Sequence, residues 1–197
     1  MNAMRETTAA EADRFLALLE PLERDLERYC RRLIWEPQEA PDALQNAVLR
    51  AFAAFDRYHE DASFRAWMFR ILTNEVFALN RKHARIARHE FQLEPEELEA
   101  LVRPGPASEG GELMATPEAL AETMEPELVA ALKTLTDAER AVLLLRALGD
   151  LRYREIAESL DMPLGSVMGY LARARQKTRL ALARRRTTQD TPKVSPT

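Results

Sequence analysis

Cysteine and long apolar runs are scarce in this sequence. One cysteine, Cys30, among 197 residues excludes an internal disulfide and is compatible with a reducing cytosol. Because Glu11 and Asp13 interrupt the N-terminal stretch, it lacks the apolar core of a secretion signal. No segment approaches the roughly 20 apolar residues of a membrane span. The sequence therefore predicts a cytoplasmic protein.

Signals for β-structure are also missing. Nowhere do β-branched residues alternate with polar ones for long enough to predict a strand, and the chain has only 6 glycines. Alanine, leucine, glutamate and arginine are abundant, and all four favour helix more than glycine does. We therefore predict an all-α fold, which at this length means one large domain or two small ones.

Charge is distributed unevenly along the chain. The net charge is −4, yet ten glutamates and a single arginine, Arg103, lie between His89 and Pro126. The rest of the chain is therefore net positive. From Leu164 to Arg186 there are seven basic residues and no acidic one. A near-neutral total is thus compatible with nucleic acid as a partner.

Residues 8–88 form the predicted N-terminal domain, which holds three helices. Apolar residues from Phe15 to Leu33 recur at three- and four-residue steps, which predicts one continuous helix. Pro37 and Pro41 end that helix. The second helix carries the apolar residues Leu44, Val48, Leu49, Phe52 and Phe55. The third has Ser63 as its cap, with inward-facing Phe64, Trp67, Met68, Ile71, Leu72, Val76 and Leu79.

Residues 89–126 form a predicted flexible acidic linker, because RPGPASEGG clusters proline and glycine and the glutamates repel one another. A short helix fits at 94–102. Residues 187–197 form a predicted disordered tail. Residues 127–186 form the predicted C-terminal domain, with helices at 127–135, 137–148 (capped by Thr136), 153–160 and 164–186.

The stretch YREIAESLDMPLGSVMGYLARARQK has the spacing of a helix-turn-helix. Ala157 is the small residue where the two helices touch, Ile156 and Leu160 pack inward from the first helix, and Val167 and Leu171 pack inward from the second. The turn needs one left-handed residue, which Asp161 tolerates, and Pro163 suits entry into the second helix. An ordinary helical hairpin is the alternative. The basic run Arg173, Arg175, Lys177 and Arg179 favours the helix-turn-helix and DNA.

Two stretches resemble regions of one family. LTDAERAVLLLRALGDLRYREIAESLDMPLGSVMGYLARARQKTRLAL resembles region 4, the promoter-reading domain, of bacterial sigma factors of the extracytoplasmic-function (ECF) group. DALQNAVLRAFAAFDRYHEDASFRAWMFRILTNEVFALNRKHAR is similar to region 2 of the same group, with FRAWMFRILTN as its strongest signature. The resemblance covers roughly 13–88 and 127–185. It implies two small helical domains joined by the acidic linker.

The resemblance implies a subunit that binds core RNA polymerase, directs it to specific promoters and helps to melt the −10 region. Such a protein is not an enzyme and needs no cofactor. The sequence agrees, since it has no glycine-rich phosphate loop and no Cys/His pair at metal spacing. His59, His83 and His89 are expected at the surface, and Cys30 is expected to be a packing residue.

The family contacts the clamp helices of the largest polymerase subunit through the second helix. The matching residues here are Asp42, Gln45, Asn46, Arg50 and Phe52. Asn46 stands where an acidic residue is usual, and Val48 where a bulky aromatic is usual, so the strength of this contact differs from the family pattern.

Promoter DNA is expected at two sites. Melting needs a pocket for an unstacked base and a cationic track for the strand, and the resemblance places the pocket at loop 56–63 and Asn74. Trp67 is expected in the core rather than as a stacking platform. The residues implied for the −10 element are Arg65, Arg70, Asn74, Arg81, Lys82 and Arg85, with Arg88 extending the track.

The −35 element is expected to meet the second helix of the helix-turn-helix. Met168 and Tyr170 stand where the family usually has Lys or Arg, so apolar contact with thymine methyls replaces some charge. Backbone and hydroxyl groups near the helix N-terminus can still meet phosphates. The residues implied for this element are Ser166, Met168, Gly169, Tyr170, Arg173, Arg175 and Lys177.

Two rival functions and two partner questions stay open. A stand-alone helix-turn-helix regulator would bind DNA without polymerase, and a sigma mimic would only titrate an anti-sigma factor; copurification with core polymerase separates both from a sigma factor. The family makes an anti-sigma factor an expected partner. The acidic linker is either a solvated spacer or a polyanion suited to the basic RNA channel of the polymerase.

Overall fold

The structure is a computed structural model that describes residues 2–59, 63–91 and 125–189. Within these ranges it contains helices and turns and no strand, as the all-α expectation requires. The predicted helix at 94–102, the rest of the linker, and residues 190–197 of the predicted tail lie outside the described residues. Among the described helices, none combines the length and the hydropathy that a membrane span requires.

The N-terminal half contains four α-helices. They are α1 (Asn2–Leu19), α2 (Glu23–Leu33), α3 (Ala40–Ala53) and α4 (Phe64–Phe91). The single helix predicted from Phe15 to Leu33 is wrong, because a turn of 3-10 helix at Glu20–Leu22 separates α1 from α2. Pro21 is the physical reason, since it lacks an N–H group and its ring clashes with the preceding turn of an α-helix.

Small residues let α3 pack closely against α2 and α4. The buried positions of α3 are all alanines, at Ala40, Ala43, Ala47 and Ala51. The larger apolar residues predicted on this helix lie beside that stripe or outside it, with Leu44 and Val48 half-buried and Leu49 58% exposed. The helix therefore buries a narrow stripe and leaves a broad surface facing solvent.

Polar groups join the helices inside this half. The hydroxyls of buried Tyr29 and Thr73 lie 2.6 Å apart, which ties α2 to α4. The Asn80 side chain donates to the Leu33 carbonyl at 3.3 Å and accepts from the Trp35 N–H at 3.0 Å. Asn80 thus satisfies backbone groups where α2 ends. Burial raises the pKa of Tyr29 well above its ordinary value, so its hydroxyl stays protonated.

The C-terminal half contains four further α-helices. They are α5 (Glu125–Leu132), α6 (Asp137–Ala147), α7 (Tyr153–Ser159) and α8 (Leu164–Gln189). The cap predicted at Thr136 is confirmed, since its hydroxyl accepts from the Glu139 N–H at 3.3 Å and the Glu139 carboxylate accepts from the Thr136 N–H at 3.0 Å. The helix α8 runs three residues into the predicted tail.

The helix-turn-helix is formed by α7 and α8. Asp161 adopts the predicted left-handed backbone, with φ of 50°. Ile156, Val167 and Leu171 are buried as expected, and the N–H of Met162 donates to the Ala157 carbonyl at 3.0 Å. The turn therefore has the geometry that the sequence predicted, with Asp161 in place of the usual glycine.

The two halves touch each other. Helix α2 packs on α6, and α4 packs on α7 and, to a smaller extent, on α6. Trp35 Nε1–H donates to Asp137 Oδ1 at 3.0 Å. Arg65 Nη1 donates to Asp25 Oδ2 at 3.1 Å and to the Gly149 carbonyl at 3.2 Å, so it links α2 and α4 with the loop after α6.

Candidate protein-docking and nucleic-acid interfaces

An exposed face of α3 contains the residues predicted to bind polymerase. Asp42, Gln45, Asn46, Arg50 and Phe52 are all exposed. At about 100° of rotation per residue, Leu49 lies in the middle of this set, and its side chain is 58% exposed. We call the surface formed by Asp42, Gln45, Asn46, Leu49 and Phe52 the α3 face. An apolar centre with a polar rim is typical of a protein-docking surface.

Arg50 lies at the edge of the α3 face and has a partner inside the fold. Its Nε lies 3.2 Å from Glu75 Oε2, and the Glu75 side chain is 9% exposed. That carboxylate oxygen is buried without a hydrogen bond among the described atoms. Arg50 is therefore the charge that balances Glu75, as well as a candidate contact for a partner.

A cationic track runs along α4. Arg70, Asn74, Arg81 and Arg85 are exposed and fall within about 60° of one another around the helix. Lys82 is exposed beside them. The side chain of Arg88 lies outside the described residues. The structure thus brings five of the six residues predicted for the −10 element onto one surface.

Arg65 is the exception. It lies about 140° around α4 from Arg70 and is engaged with Asp25 and the Gly149 carbonyl. Its guanidinium also lies 6.0 Å from the centre of the Phe69 ring. Arg65 thus joins the two halves in this arrangement, and the track does not include it.

Aromatic side chains surround the start of the loop predicted to hold an unstacked base. Phe55 and Tyr58 stack with ring centres 5.8 Å apart, and Trp67 lies 5.3 Å from Tyr58 and 5.6 Å from Phe64. Trp67 is therefore half-buried in an aromatic cluster, as the core interpretation expects. Residues 60–62 of this loop lie outside the described part.

The residues predicted for the −35 element occupy two sides of α8. Ser166, Tyr170, Arg173 and Lys177 fall within about 60° of one another. Met168, which is 49% exposed, and Arg175 lie on the opposite side, about 180° away. Gly169 lies between them, and a Cβ added to it would be 3.4 Å from Arg173 Nη1. The structure therefore does not gather all seven residues on one face.

Buried Glu139 hydrogen-bonds one of the predicted DNA-contacting cations and lies within ion-pair distance of a second. Its side chain is 1% exposed, and Lys177 Nζ donates to Oε1 at 3.0 Å and to Oε2 at 2.8 Å. Arg173 Nε lies 3.5 Å from Oε1. Burial on its own raises the pKa of Glu139, but hydrogen bonds from Lys177 and Thr136 and the charge of Lys177 outweigh it, so the pKa lies below the ordinary value.

A cleft of about 760 Å³ separates parts of the two halves. Apolar residues such as Phe77 and Leu132 line it together with the cations Arg31, Arg81 and Lys133. Tyr170 lines it from the C-terminal half. A residue predicted to read DNA thus faces the N-terminal half in this arrangement.

The described part of the chain contains no candidate metal-binding site and no reactive thiol. Among these residues no group of three or more His, Cys, Asp or Glu side chains could hold a metal ion. Cys30 is buried, and burial raises the pKa of its thiol to about 12. His83 pairs with Glu39 at 2.7 Å. Cys30 is therefore a packing residue, as its place between core positions indicated.

Sequence reasoning missed two residues of these surfaces. Apolar spacing alone places Leu49 with the inward-facing residues of its helix, whereas its angular position lies among polar residues and would have identified it. Glu139 follows the Thr136 cap at the spacing of a capping box, which predicts its bond to the backbone. Its contacts with Arg173 and Lys177 depend on how α6 packs against α8, and no local pattern gives that.

Family models match both halves in order. Residues 18–86 match the model described as Sigma-70 region 2, and residues 126–178 match the model described as Sigma-70, region 4. Together the two models cover more than half of the chain.

Curated relatives of similar sequence include two sigma factors. The chain is 29% identical over 218 aligned positions to the ECF RNA polymerase sigma factor SigG of Mycobacterium tuberculosis, covering 98% of this chain and 56% of the relative. It is 28% identical over 144 positions to the ECF RNA polymerase sigma-E factor of Escherichia coli, covering 70% of this chain and 71% of the relative. The chain thus spans about half the length of the SigG relative.

Two solved structures share the fold. One is the sigma factor RpoE in complex with the anti-sigma factor NepR from Bartonella quintana, with a TM-score of 0.64, 19% identity and coverage of 84% of this chain and 94% of that one. The other is CnrH in complex with the cytosolic domain of CnrY, with a TM-score of 0.62, 21% identity and coverage of 91% and 94%. At these identities the likeness is one of fold.

Proposed function

The chain belongs to the sigma-70 family, and from that premise we propose that it acts as an ECF sigma factor. In this role it binds core RNA polymerase, directs it to specific promoters and helps to melt the −10 region. The observation that carries the proposal is the pair of matched regions, 2 and 4, in order in one chain. Sigma factors are regulators of transcription rather than enzymes, and we propose no bond chemistry for this chain.

The α3 face is the proposed contact with core polymerase. Its exposed Leu49 and Phe52 supply apolar area, and Asp42, Gln45 and Asn46 supply a polar rim. Exposed apolar area is unfavourable in water, so covering it with a partner would stabilise the complex. Arg50 adds charge at its edge, although its pairing with Glu75 makes it part of the fold as well.

The track on α4 and the first three turns of α8 are the proposed promoter contacts. Arg70, Arg81 and Arg85 lie along one surface that suits the phosphates of a melted strand. On α8, Ser166, Met168, Gly169 and Tyr170 lie in the first two turns, where a recognition helix meets base edges. Arg175 is the proposed phosphate contact, about two turns beyond Met168 on the same side of the helix. We further propose the domain bounds 8–88 and 127–186.

Transcription from genomic DNA with purified core polymerase and the purified chain tests the proposal. The expected result is a small set of start sites that depend on the chain and share sequence near −10 and −35. The stand-alone regulator would bind DNA without joining core polymerase. The mimic would give no transcript. Either of those results contradicts the sigma-factor proposal.

An anti-sigma factor is the proposed regulatory partner, by analogy with the complex of similar fold between the sigma factor RpoE and the anti-sigma factor NepR. Its binding would cover the α3 face and part of the cleft between the halves. Coexpression of a candidate partner should abolish the transcripts without lowering the amount of the chain. Full transcription in the presence of every partner that binds the chain would argue against this control.

A further inference from the structure

The helix α8 is rich in basic residues, but its cations differ in what surrounds them. Between Arg173 and Lys177 the helix has three basic side chains and no acidic one. Arg173 and Lys177 face α6, whereas Arg175 lies on the opposite side, about 180° around α8. Among the described residues, no ion pair is found for Arg175. A count of charges therefore overstates how many cations are available to DNA.

Glu139 is the residue that makes the difference. It lies at the third position of α6, where its carboxylate closes the cap with Thr136. The same carboxylate accepts two hydrogen bonds from Lys177 Nζ and lies 3.5 Å from Arg173 Nε. One buried anion is thus shared between the start of α6 and two cations of α8.

The geometry of Arg173 shows how this carboxylate directs its side chain. The guanidinium lies over the Tyr170 ring, 4.7 Å from its centre, and its Nη1 comes within 3.4 Å of a Cβ built on Gly169. The side chain therefore folds back along α8, and 21% of it is exposed. The Arg173 side chain is therefore held within its own domain by the Glu139 carboxylate and by the Tyr170 ring.

We infer that Glu139 is a positioning residue that keeps Arg173 and Lys177 from contacting promoter phosphates. It thereby sets how strongly the C-terminal half binds duplex DNA. The inference rests on the proposed function. Glu139 touches no DNA itself and acts through the two cations. The phosphate contact from this part of α8 then comes from Arg175. The first nine residues of α8 carry no charge, and Glu139 holds two of the cations that follow, so both features favour weak DNA binding by the free domain.

The test measures binding of the full-length chain to a 20-base-pair duplex by fluorescence anisotropy over a range of NaCl concentrations. Glu139→Gln keeps the shape and the cap, since glutamine also serves in a capping box, but it removes the anion. Each cation released to a phosphate adds about 0.9 to the slope of log K against log salt. We therefore expect the slope to steepen by about 1 to 2.

Matched variants separate this effect from net charge and from misfolding. Glu158→Gln removes one negative charge from an exposed position of α7 and should leave the slope unchanged. Lys177→Gln can still donate to Glu139 and should also leave it unchanged, whereas Arg175→Gln should lower it by about 0.9. The comparison of Lys177→Gln with Arg175→Gln keeps the inference testable if Glu139→Gln unfolds.

The outcomes distinguish the inference from the proposed function. Equal slopes for Glu139→Gln and Glu158→Gln, or a fall for Lys177→Gln as large as that for Arg175→Gln, would overturn the inference and leave the sigma-factor proposal standing. If none of the proteins binds duplex DNA, alone or with core polymerase, the proposed function fails and the inference fails with it.

Discussion

The thiol of Cys30 illustrates how burial decides chemistry at a single residue. Its side chain is fully buried, its Sγ lies 3.5 Å from the Ala40 carbonyl, and burial raises its pKa to about 12 despite the opposing charge of Arg31. The thiolate is the reactive form of cysteine. At neutral pH both its ionisation and its access to reagents are therefore suppressed.

We predict that native protein resists thiol reagents. At pH 8 an aromatic disulfide reagent should label Cys30 at least about 100-fold more slowly than in denaturant, because labelling requires opening of a stable core. The time course with and without urea measures this, and since the chain has 1 cysteine, the denatured sample supplies the full signal. Rapid labelling of the folded protein would mean that α2 and α3 separate readily.

Glu139 shows a second effect of burial, in which partners reverse its sign. Its pKa is lowered in the folded protein because Lys177 and Thr136 outweigh desolvation. A group with a lowered folded pKa stabilises the fold above its unfolded pKa, about 4.3 for glutamate. That contribution disappears as the pH falls through the folded value.

We predict that Glu139→Gln loses about 1.5–3 kcal/mol of unfolding free energy at pH 7, the range for hydrogen bonds to charged groups. The loss should shrink as the pH falls below about 4.3. Urea unfolding at pH 7, 5 and 3.5 measures the difference from wild type, with Glu158→Gln as the exposed control. A difference that stays constant down to pH 3.5 would show that the carboxylate charge contributes nothing.

At the scale of single elements, one side of α3 holds the fold and the other carries the proposed docking surface. Its alanine stripe packs inward, and Leu49 points outward in the middle of the α3 face.

We predict that Leu49→Glu abolishes copurification with core polymerase while changing stability by no more than about 0.5 kcal/mol, as surface substitutions do. Leu16→Glu on α1 is the control, because its side chain is 57% exposed against 58% for Leu49.

Retained polymerase binding by Leu49→Glu would mean that another surface docks. Arg50→Glu also tests the α3 face, and copurification should weaken while the helices persist. It is a poorer probe than Leu49→Glu, since it would place a second carboxylate against buried Glu75 and lower stability as well.

Local signals explain most of what the sequence predicted correctly. Interactions between residues close in sequence determine three correctly predicted features: the Thr136 cap, the left-handed backbone of Asp161 and the inward side chain of Val167. Pro21 is also a local signal, since proline breaks a helix. The apolar residues on both sides of it keep helical spacing, however, and so predicted one continuous helix. The contacts of Glu139, Arg50 and Arg65 join residues far apart in sequence, so they depend on packing between helices and no residue pattern could supply them.

The proposed recognition helix α8 leads to a prediction about sequence specificity. Met168 is 49% exposed, whereas Tyr170 is half-buried beneath Arg173. Met168→Lys should therefore change which −35 sequences are preferred, by about 1–3 kcal/mol for a good bidentate contact. Tyr170→Arg should alter preference less cleanly, because it also removes the stacking partner of Arg173.

A promoter-library selection measures these preferences. Arg175→Ala is the matched comparison, since a lost phosphate contact should weaken all promoters about equally. If Met168→Lys and wild type return the same upstream sequences, the Met168 side chain does not face the bases and α8 positions the domain through phosphates alone.

The two halves of the molecule are in contact, and the proposed binding to both promoter elements would have to separate them. Elements at −10 and −35 lie about 25 base pairs apart, which is roughly 85 Å at 3.4 Å per base pair. The two halves instead touch, with Arg65 Nη1 3.2 Å from the Gly149 carbonyl and Trp35 Nε1 3.0 Å from Asp137. Simultaneous contact with both elements therefore requires these bonds to break, and every contact between the halves opposes it.

We predict that Arg65→Gln shifts the free chain toward an open state. Losing the bond from Arg65 to the Gly149 carbonyl, at a partly buried site between the halves, costs the closed state about 0.5–1.5 kcal/mol, which is roughly a two- to ten-fold change in the ratio of open to closed molecules. Single-molecule energy transfer between dyes on Asp56→Cys and Glu158→Cys, both exposed, measures that ratio, because buried Cys30 should stay unlabelled. Arg70→Gln removes an equal charge from the opposite side of α4 and should leave it unchanged. An Arg65→Gln distribution identical to wild type would mean that the apolar contacts of α2 with α6 hold the halves together without it, and that polymerase must supply the energy to separate them.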